Sequence, residues 1–263
     1  MKYLIAIIVL LGWISQTYAY NPATDVSSWA RVDRTIKHPY YRESKWSYDL
    51  YMSSGVYLFA LKSSIQPIWN ASGTNARKLQ SEHKFDLVTN AGYFTYHGAS
   101  NSFQPAGRIV DGIRVIRSMV KEFFSKWLDK NLAVTLIYRN KSNTVELSHN
   151  DIVVPTTGIW ARYTGPQIIQ SGQILTDITA NISHRQRKAT RTFLIIDMNG
   201  KPHLWVTIEW YTLPALAAKI QEMKVFYWKY HVVNMDWWSS TALAAGTRYW
   251  NSRSRLPWFF GVK

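Results

Sequence analysis

Three short polar stretches place groups able to do chemistry at the ends of predicted strands. The first is Asn90-Ala91-Gly92-Tyr93-Phe94. Gly92, directly after a strand, permits a sharp turn and close approach of a ligand to the backbone; an ordinary strand-exit turn would use the same residues. The second is Arg191-Thr192, behind the basic stretch His184-Arg185-Gln186-Arg187-Lys188. A guanidinium fixed at a strand end suits bidentate binding of a phosphate or carboxylate, and a solvated charge at a loop–strand junction is the alternative. The third is Asn234-Met235-Asp236-Trp237-Trp238-Ser239-Ser240-Thr241. In a strand, Asn234 and Asp236 project to the same face. A carboxylate following the apolar Val232-Val233 is a candidate for acid–base work once partly desolvated. The hydroxyls of Ser239, Ser240 and Thr241 fall at a turn or helix start, where free backbone N–H groups hold anions; Asp236 reads equally as a helix N-cap.

Other chemistries fall away. The chain has no cysteine, which removes thiol catalysis, Cys-ligated zinc and any disulfide framework. No G-x-S-x-G elbow, Gly-rich phosphate loop or H-E-x-x-H occurs. Seven histidines are scattered without helical ligand spacing, so no metal site and no cofactor are expected. Ser118-Met-Val-Lys121 matches a bare S-x-x-K but lacks its companion motifs.

The chain opens Met1-Lys2, continues with the apolar run Tyr3 to Ile14, and reaches small residues at Thr17 and Ala19. That order predicts a signal peptide over 1–19, cleaved after Ala19, and a secreted or periplasmic protein. The apolar run is too short to cross about 30 Å of hydrocarbon comfortably. With 31 Lys+Arg against 16 Asp+Glu the formal charge is +15, and losing Lys2 lowers it to +14. For an exported protein the partners this charge suits are a phosphorylated glycan, an anionic cell-wall polymer or an anionic membrane surface. Interleaved Arg and Trp in the tail could instead grip single-stranded nucleic acid, but the export signal argues against nucleic acid. Three Asn-x-Ser sequons, at Asn70, Asn140 and Asn181, complete the surface features.

Elements able to carry the three stretches are visible in the hydropathy. Residues 20–54 are polar and aromatic without a sustained period and read as an irregular arm. The segment from Gly55 (VYLFALKSSI) and Phe85 to Thr89 read as buried strands. Residues 70–82 form a polar connection with room for a short helix. Ala133 to Tyr138 and Thr144 to Leu147 read as a hairpin. So do Thr192 to Asp197 and His203 to Thr207, where Asn199-Gly200 supplies the positive φ of a tight turn. Thr212 and Pro214 open a helix whose apolar face is Leu213, Leu216, Ala217, Ile220 and Met223. Tyr230 to Asp236 is a further strand, and 247–263 an Arg- and Trp-rich tail without regular structure. The fold class expected is α+β: a single domain over 55–246 with a mixed β-sheet core and a few flanking helices.

In this order the motifs resemble the phosphodiester glycosidase family. Its pattern runs from a strand into N-G/A-G-Y/F-F, then G-x-x-V-x-G, G-P-x-L/I-I-x-x-G, an R-T-A-x-G strand and a terminal N-L-D-G-G-G-S-S-T. Here they stand as Asn90-Ala-Gly-Tyr-Phe94, Gly107-Arg-Ile-Val-Asp-Gly112, Gly165-Pro-Gln-Ile-Ile-Gln-Ser-Gly172, Arg191-Thr-Phe-Leu-Ile195 and Asn234 to Thr241. The likeness covers roughly Val56 to Gly246. It departs where Trp237, Trp238 and Ser239 replace glycines, and where Ile195 does.

The resemblance implies hydrolysis of a sugar-1-phosphodiester, through oxocarbenium character on the sugar and negative charge on the departing phosphate. It implies that Asp236 stabilises the cationic sugar, activates water or attacks directly, that Arg191 clamps phosphate, and that Asn90 and Asn234 hydrogen-bond sugar hydroxyls. Thr192, Ser239 and Ser240 would add short polar contacts, with Gly92, Tyr93, Trp237 and Trp238 lining the substrate. The alternative is a non-catalytic binder of glycans or phosphorylated polymers on the same scaffold, which the two indoles in place of glycines favour.

Overall fold

The chain is described from a computed structural model, which describes residues 42–53, 56–97, 100–105, 109–111, 114–116, 133–139, 142–148, 159–175, 188–222, 230–237, 240–251 and 255–263. The predicted signal peptide, most of the arm, Ser118–Lys121, His184 to Arg187, Trp238 and Ser239 lie outside the described residues. So do the side chains of Asp236 and Trp237.

Nineteen strands and two helices are described. They run β1 (Arg42–Ser44), β2 (Tyr48–Ser53), β3 (Val56–Leu61), β4 (Ile65–Thr74), α1 (Ala76–His83), β5 (Leu87–Asn90), β6 (Phe94–His97) and β7 (Ser102–Pro105). Next come β8 (Ile109–Asp111), β9 (Arg114–Ile116), β10 (Ala133–Arg139), β11 (Thr144–Ser148), β12 (Ile159–Gln170), β13 (Gln173–Ile174), β14 (Ala189–Ile196) and β15 (Pro202–Tyr211). The chain ends with α2 (Leu213–Glu222), β16 (His231–Trp237), β17 (Ala242–Ala245), β18 (Arg248–Asn251) and β19 (Leu256–Val262).

The β14–β15 hairpin is the centre of the larger, twelve-stranded sheet, whose main path is β1-β2-β3-β15-β14-β16-β12-β10-β11. Its turn differs from the expected one. Only Gly200 takes a left-handed φ, +76°, while Asn199 does not. The Asp197 carboxylate builds the rest by accepting from the Asn199 and Lys201 amides at 2.8 and 2.9 Å. Burial would raise this carboxyl, but His203, 3.4 Å away, and the two amides outweigh it and hold it below its ordinary value.

A second sheet has the order β18-β17-β5-β19-β4, and β6 and β7 form a separate ribbon. The two large sheets face each other. Leu50, Phe59, Leu194, Leu204 and Val206 of one bury against Leu87, Leu243, Trp258, Phe260 and Val262 of the other. Period-two alternation then sends Phe193, Ile195 and Trp205 to the outer face of the first sheet, where Leu213, Leu216, Ala217 and Ile220 of α2 cover them. Thr212 caps that helix, its Oγ1 accepting from the Ala215 amide at 3.2 Å. On the second sheet's outer face, Ala76 and Leu79 of α1 pack with Val88, Ala244 and Phe259.

The α+β expectation is therefore corrected. Every described strand pairing is antiparallel, so the core sheet is not mixed. The principal core lies between sheets, and the two helices are short covers on a mostly β protein. The arm and the tail also carry strands. β1 and β2 lie in 20–54, and β19 is a fully buried strand between β5 and β4. Among the described residues no helix is long and apolar enough to cross a membrane.

Candidate functional site

Asn90 is the last residue of β5 and Thr192 lies near the start of β14, so they belong to different sheets. Thr192 alternates with Leu194, which faces the second sheet. That orientation lets its Oγ1 donate to Asn90 Oδ1 at 2.5 Å across 102 positions of sequence. The same Asn90 oxygen accepts from the Ala242 amide at 3.0 Å, tying in the start of β17. Nearby in sequence, Tyr93 follows Gly92 in the short irregular link between β5 and β6, and its hydroxyl accepts from Asn234 Nδ2 of β16 at 2.5 Å. Asn90, Thr192, Asn234 and Tyr93 are all buried, as are Ser240 and Thr241.

The cluster is not internally satisfied. Asn90 Nδ2 and Asn234 Oδ1 are buried and have no hydrogen-bond partner among the described residues. Leaving such a group unpaired costs about 1–3 kcal/mol. One amide therefore offers a donor and the other an acceptor, a combination that hydroxyl groups match because each can donate and accept.

Asp236 sits opposite Thr192 in the β14–β16 register, and Trp237 opposite Arg191. Between this pair and Phe193–Asn234, β16 carries one extra residue. That bulge breaks the two-residue alternation on which the same-face placement of Asn234 and Asp236 relied. The backbone of Asp236 is nonetheless brought level with the Thr192–Asn90 junction.

Arg191 is placed differently from Thr192. Successive strand residues point to opposite faces, and Arg191 shares its side of β14 with Phe193 and Ile195, under α2. It is 1% exposed. Its amide donates to Thr207 Oγ1 at 3.0 Å and its Nε to the Tyr211 carbonyl at 3.3 Å. Thr207 and the Tyr211 carbonyl thus belong to the surroundings of this Arg, and no spacing in the sequence announces either. Ile195, one of the departures from the family pattern, is likewise fully buried against the α2 layer, away from the Asn90 junction.

Three of the five motif segments meet here: the β5 exit, β14 and the β16 exit. Of the others, Gly107, Arg108 and Gly112 lie outside the described residues, whereas Ile109 to Asp111 form β8, which pairs with β12. Gln167 of β12 is buried, its Nε2 2.9 Å from His231 Nδ1. Among the described residues no group of three His, Asp or Glu could hold a metal ion.

No family model and no curated protein matches this chain in sequence. Solved structures do match in shape. A hypothetical protein from Synechocystis superposes with a TM-score of 0.56 at 14% identity, over 87% of this chain and 64% of that one. This chain thus spans somewhat under two thirds of that protein. The catalytic domain of zebrafish N-acetylglucosamine-1-phosphodiester alpha-N-acetylglucosaminidase, auto-inhibited by its pro-peptide, gives 0.56 at 13% identity over 86% and 84%. A Burkholderia pseudomallei protein described as exported gives 0.51 at 10% identity over 92% and 81%. With an identity of 14% or less in each case, what this chain shares with the three is the fold.

Proposed function

We propose that the protein is an exported hydrolase that cleaves the bond between a sugar's anomeric carbon and a phosphodiester. The observation that carries the reading is two buried contacts between distant segments, Thr192 with Asn90 and Asn234 with Tyr93. Among the described residues they leave a buried amide donor, Asn90 Nδ2, and a buried carbonyl acceptor, Asn234 Oδ1, without a partner. Each of those groups suits a sugar hydroxyl, and fixed polar groups of this kind orient a ring before reaction. The shared fold with a domain named for a sugar-1-phosphodiester adds support.

In the reaction, water oxygen bonds to the anomeric carbon as the bond from that carbon to the phosphate oxygen breaks. The products are the free sugar and a phosphate monoester. Asp236, level with Thr192, supplies the carboxylate that stabilises the oxocarbenium-like centre or takes the proton from water. Phosphate is a good leaving group without strong acid help, and the +15 charge of the chain favours an anionic substrate. Arg191, buried on the other face of β14, is not assigned the phosphate.

The test uses the mature protein with N-acetylglucosamine 1-(methyl phosphate), reading free reducing sugar. Turnover by the wild type, falling about 10²–10⁴-fold in Asp236→Asn, is the expected result. Absence of release from this and from the glucose, galactose and mannose analogues would falsify the enzymatic reading. Saturable, salt-sensitive binding without turnover would instead favour the glycan-binding alternative, for which Trp237 and Trp238 in place of glycines are the specific observation.

A further inference from the structure

From the geometry of β15 we infer that Trp210 is a stacking platform for the group carried beyond the phosphate, and so sets which diesters are good substrates. The inference rests on the diester reading above. Trp210 is an exposed indole, with 59% of its surface open, on a strand whose inner part is fully buried. It lies in an irregular stretch of the β14–β15 ladder. From Ala189–Tyr211 to Arg191–Thr207, β14 advances two residues while β15 advances four. Bulges of this kind re-aim side chains beside functional sites.

The bulge is held on the α2 side. Arg191 binds both of its ends, through Thr207 Oγ1 and the Tyr211 carbonyl. The Tyr211 phenol donates to Glu209 Oε2 at 2.6 Å. Burial first, then the Glu209 bond and charge, push that phenol up to about 12, so it keeps its donor proton at any physiological pH. Lys219 of α2 stands 5.8 Å from the Tyr211 ring centre, and Tyr211 packs on the α2-side core. Glu209 and Tyr211 therefore share the α2 side, and Trp210 between them turns to the opposite side, the one that Thr192 faces.

The separation fits a second subsite. Val206 is the register partner of Thr192, and Trp210 lies four residues further along. At about 3.3 Å per residue its Cα lies at most about 13 Å further along β15 than that of Val206. That reach places the indole past a sugar and its phosphate, where the leaving group would emerge. A flat apolar ring with an N–H edge is suited to the apolar face of a second sugar.

The experiment compares two diesters of N-acetylglucosamine 1-phosphate, one to methanol and one to the 6-hydroxyl of methyl glucoside. The expected result for Trp210→Ala is a KM raised on the order of tenfold for the glucoside diester, with kcat unchanged and the methyl diester unaffected. Trp210→Phe should recover most of the loss. Equal changes for both diesters, or none for either, overturn the proposal. Should the wild type cleave neither, the diester reading itself has failed. Trp210 is then judged by calorimetric binding of the glucoside diester: undiminished affinity in Trp210→Ala overturns the subsite, and a tenfold loss upholds it.

Discussion

Replacing Thr192 by Val keeps the shape of the side chain and removes one hydroxyl from the junction between the sheets. The lost bond is the 2.5 Å donation to Asn90 Oδ1, between residues that are 0% and 2% exposed. The acceptor is not stranded, because the Ala242 amide still donates to it at 3.0 Å. The cost should therefore be that of one buried hydrogen bond, about 1 kcal/mol. Asn90→Ala is different. It strands the Thr192 hydroxyl and the Ala242 amide, while removing an Nδ2 that had no partner among the described residues, so about 1–3 kcal/mol is expected. In the double variant no Thr192 hydroxyl remains to be stranded. The two single losses should then exceed the double loss by about 1 kcal/mol, the coupling of two side chains in contact. Guanidinium unfolding followed by tryptophan fluorescence, with unchanged m-values across the four proteins, measures all terms. Additivity within about 0.3 kcal/mol would mean that the hydroxyl and the carboxamide do not meet, and would refute the junction.

Three further outcomes test other parts of the structure. Asp197→Asn should destabilise the β14–β15 hairpin at neutral pH by about 1–3 kcal/mol, since the anion accepts from two amides and faces His203. The folded-state pKa of Asp197 is depressed below its ordinary 3.8, so this contribution is complete above that value and is lost as pH falls through the lower folded pKa; chemical denaturation from pH 7 to pH 2 should show the wild-type advantage shrinking only at the acid end. Gly261→Ala would bring a Cβ to 2.6 Å from Phe85 Cζ inside β19. A thermal melt should record a loss of about 1–3 kcal/mol, largely recovered by combining it with Phe85→Leu. In the enzymatic assay, Asp236→Asn should cut sugar release about 10²–10⁴-fold while changing the unfolding free energy by no more than about 1 kcal/mol.

Strands with strong local signals are legible in the sequence. The Val56 segment, β10 with β11, β14 with β15 and β16 all lie within a few residues of where apolar runs and turn residues put them. The helix after Thr212 carries its buried face at Leu213, Leu216, Ala217 and Ile220, the positions that the 3.6-residue period selects. β19 escaped because LPWFFGV is buried on both faces, and a strand of that kind shows no alternation. β4 escaped because its polar half, Asn70 to Thr74, reads as a loop, yet it pairs with β19 through long-range contacts. Only sheet pairing reveals such strands, and without them the protein looks more helical than it is.

The site divides along the same line. Residue types and strand ends point to Asn90 and Thr192, which meet between the two sheets, and to Asn234, which meets Tyr93 instead. Arg191 reads as a phosphate clamp because a guanidinium at a strand end suits one, but adjacency to Thr192 within a strand is what puts the two side chains on opposite faces. Asn234 and Asp236 looked equivalent by period two until an extra residue in β16 intervened. A bulge depends on how the partner strand pairs, so spacing along one strand does not disclose it.

The most direct test is a crystal structure of the mature protein soaked with N-acetylglucosamine 1-phosphate. The expected result is the pyranose at the β5–β14–β16 junction, with hydroxyl oxygens within about 3.2 Å of Asn90 Nδ2 and Asn234 Oδ1, and the anomeric phosphate directed toward the Trp210 side. A sugar bound at another face, with those two amide atoms still unengaged, would contradict the assignment of this junction as the sugar site.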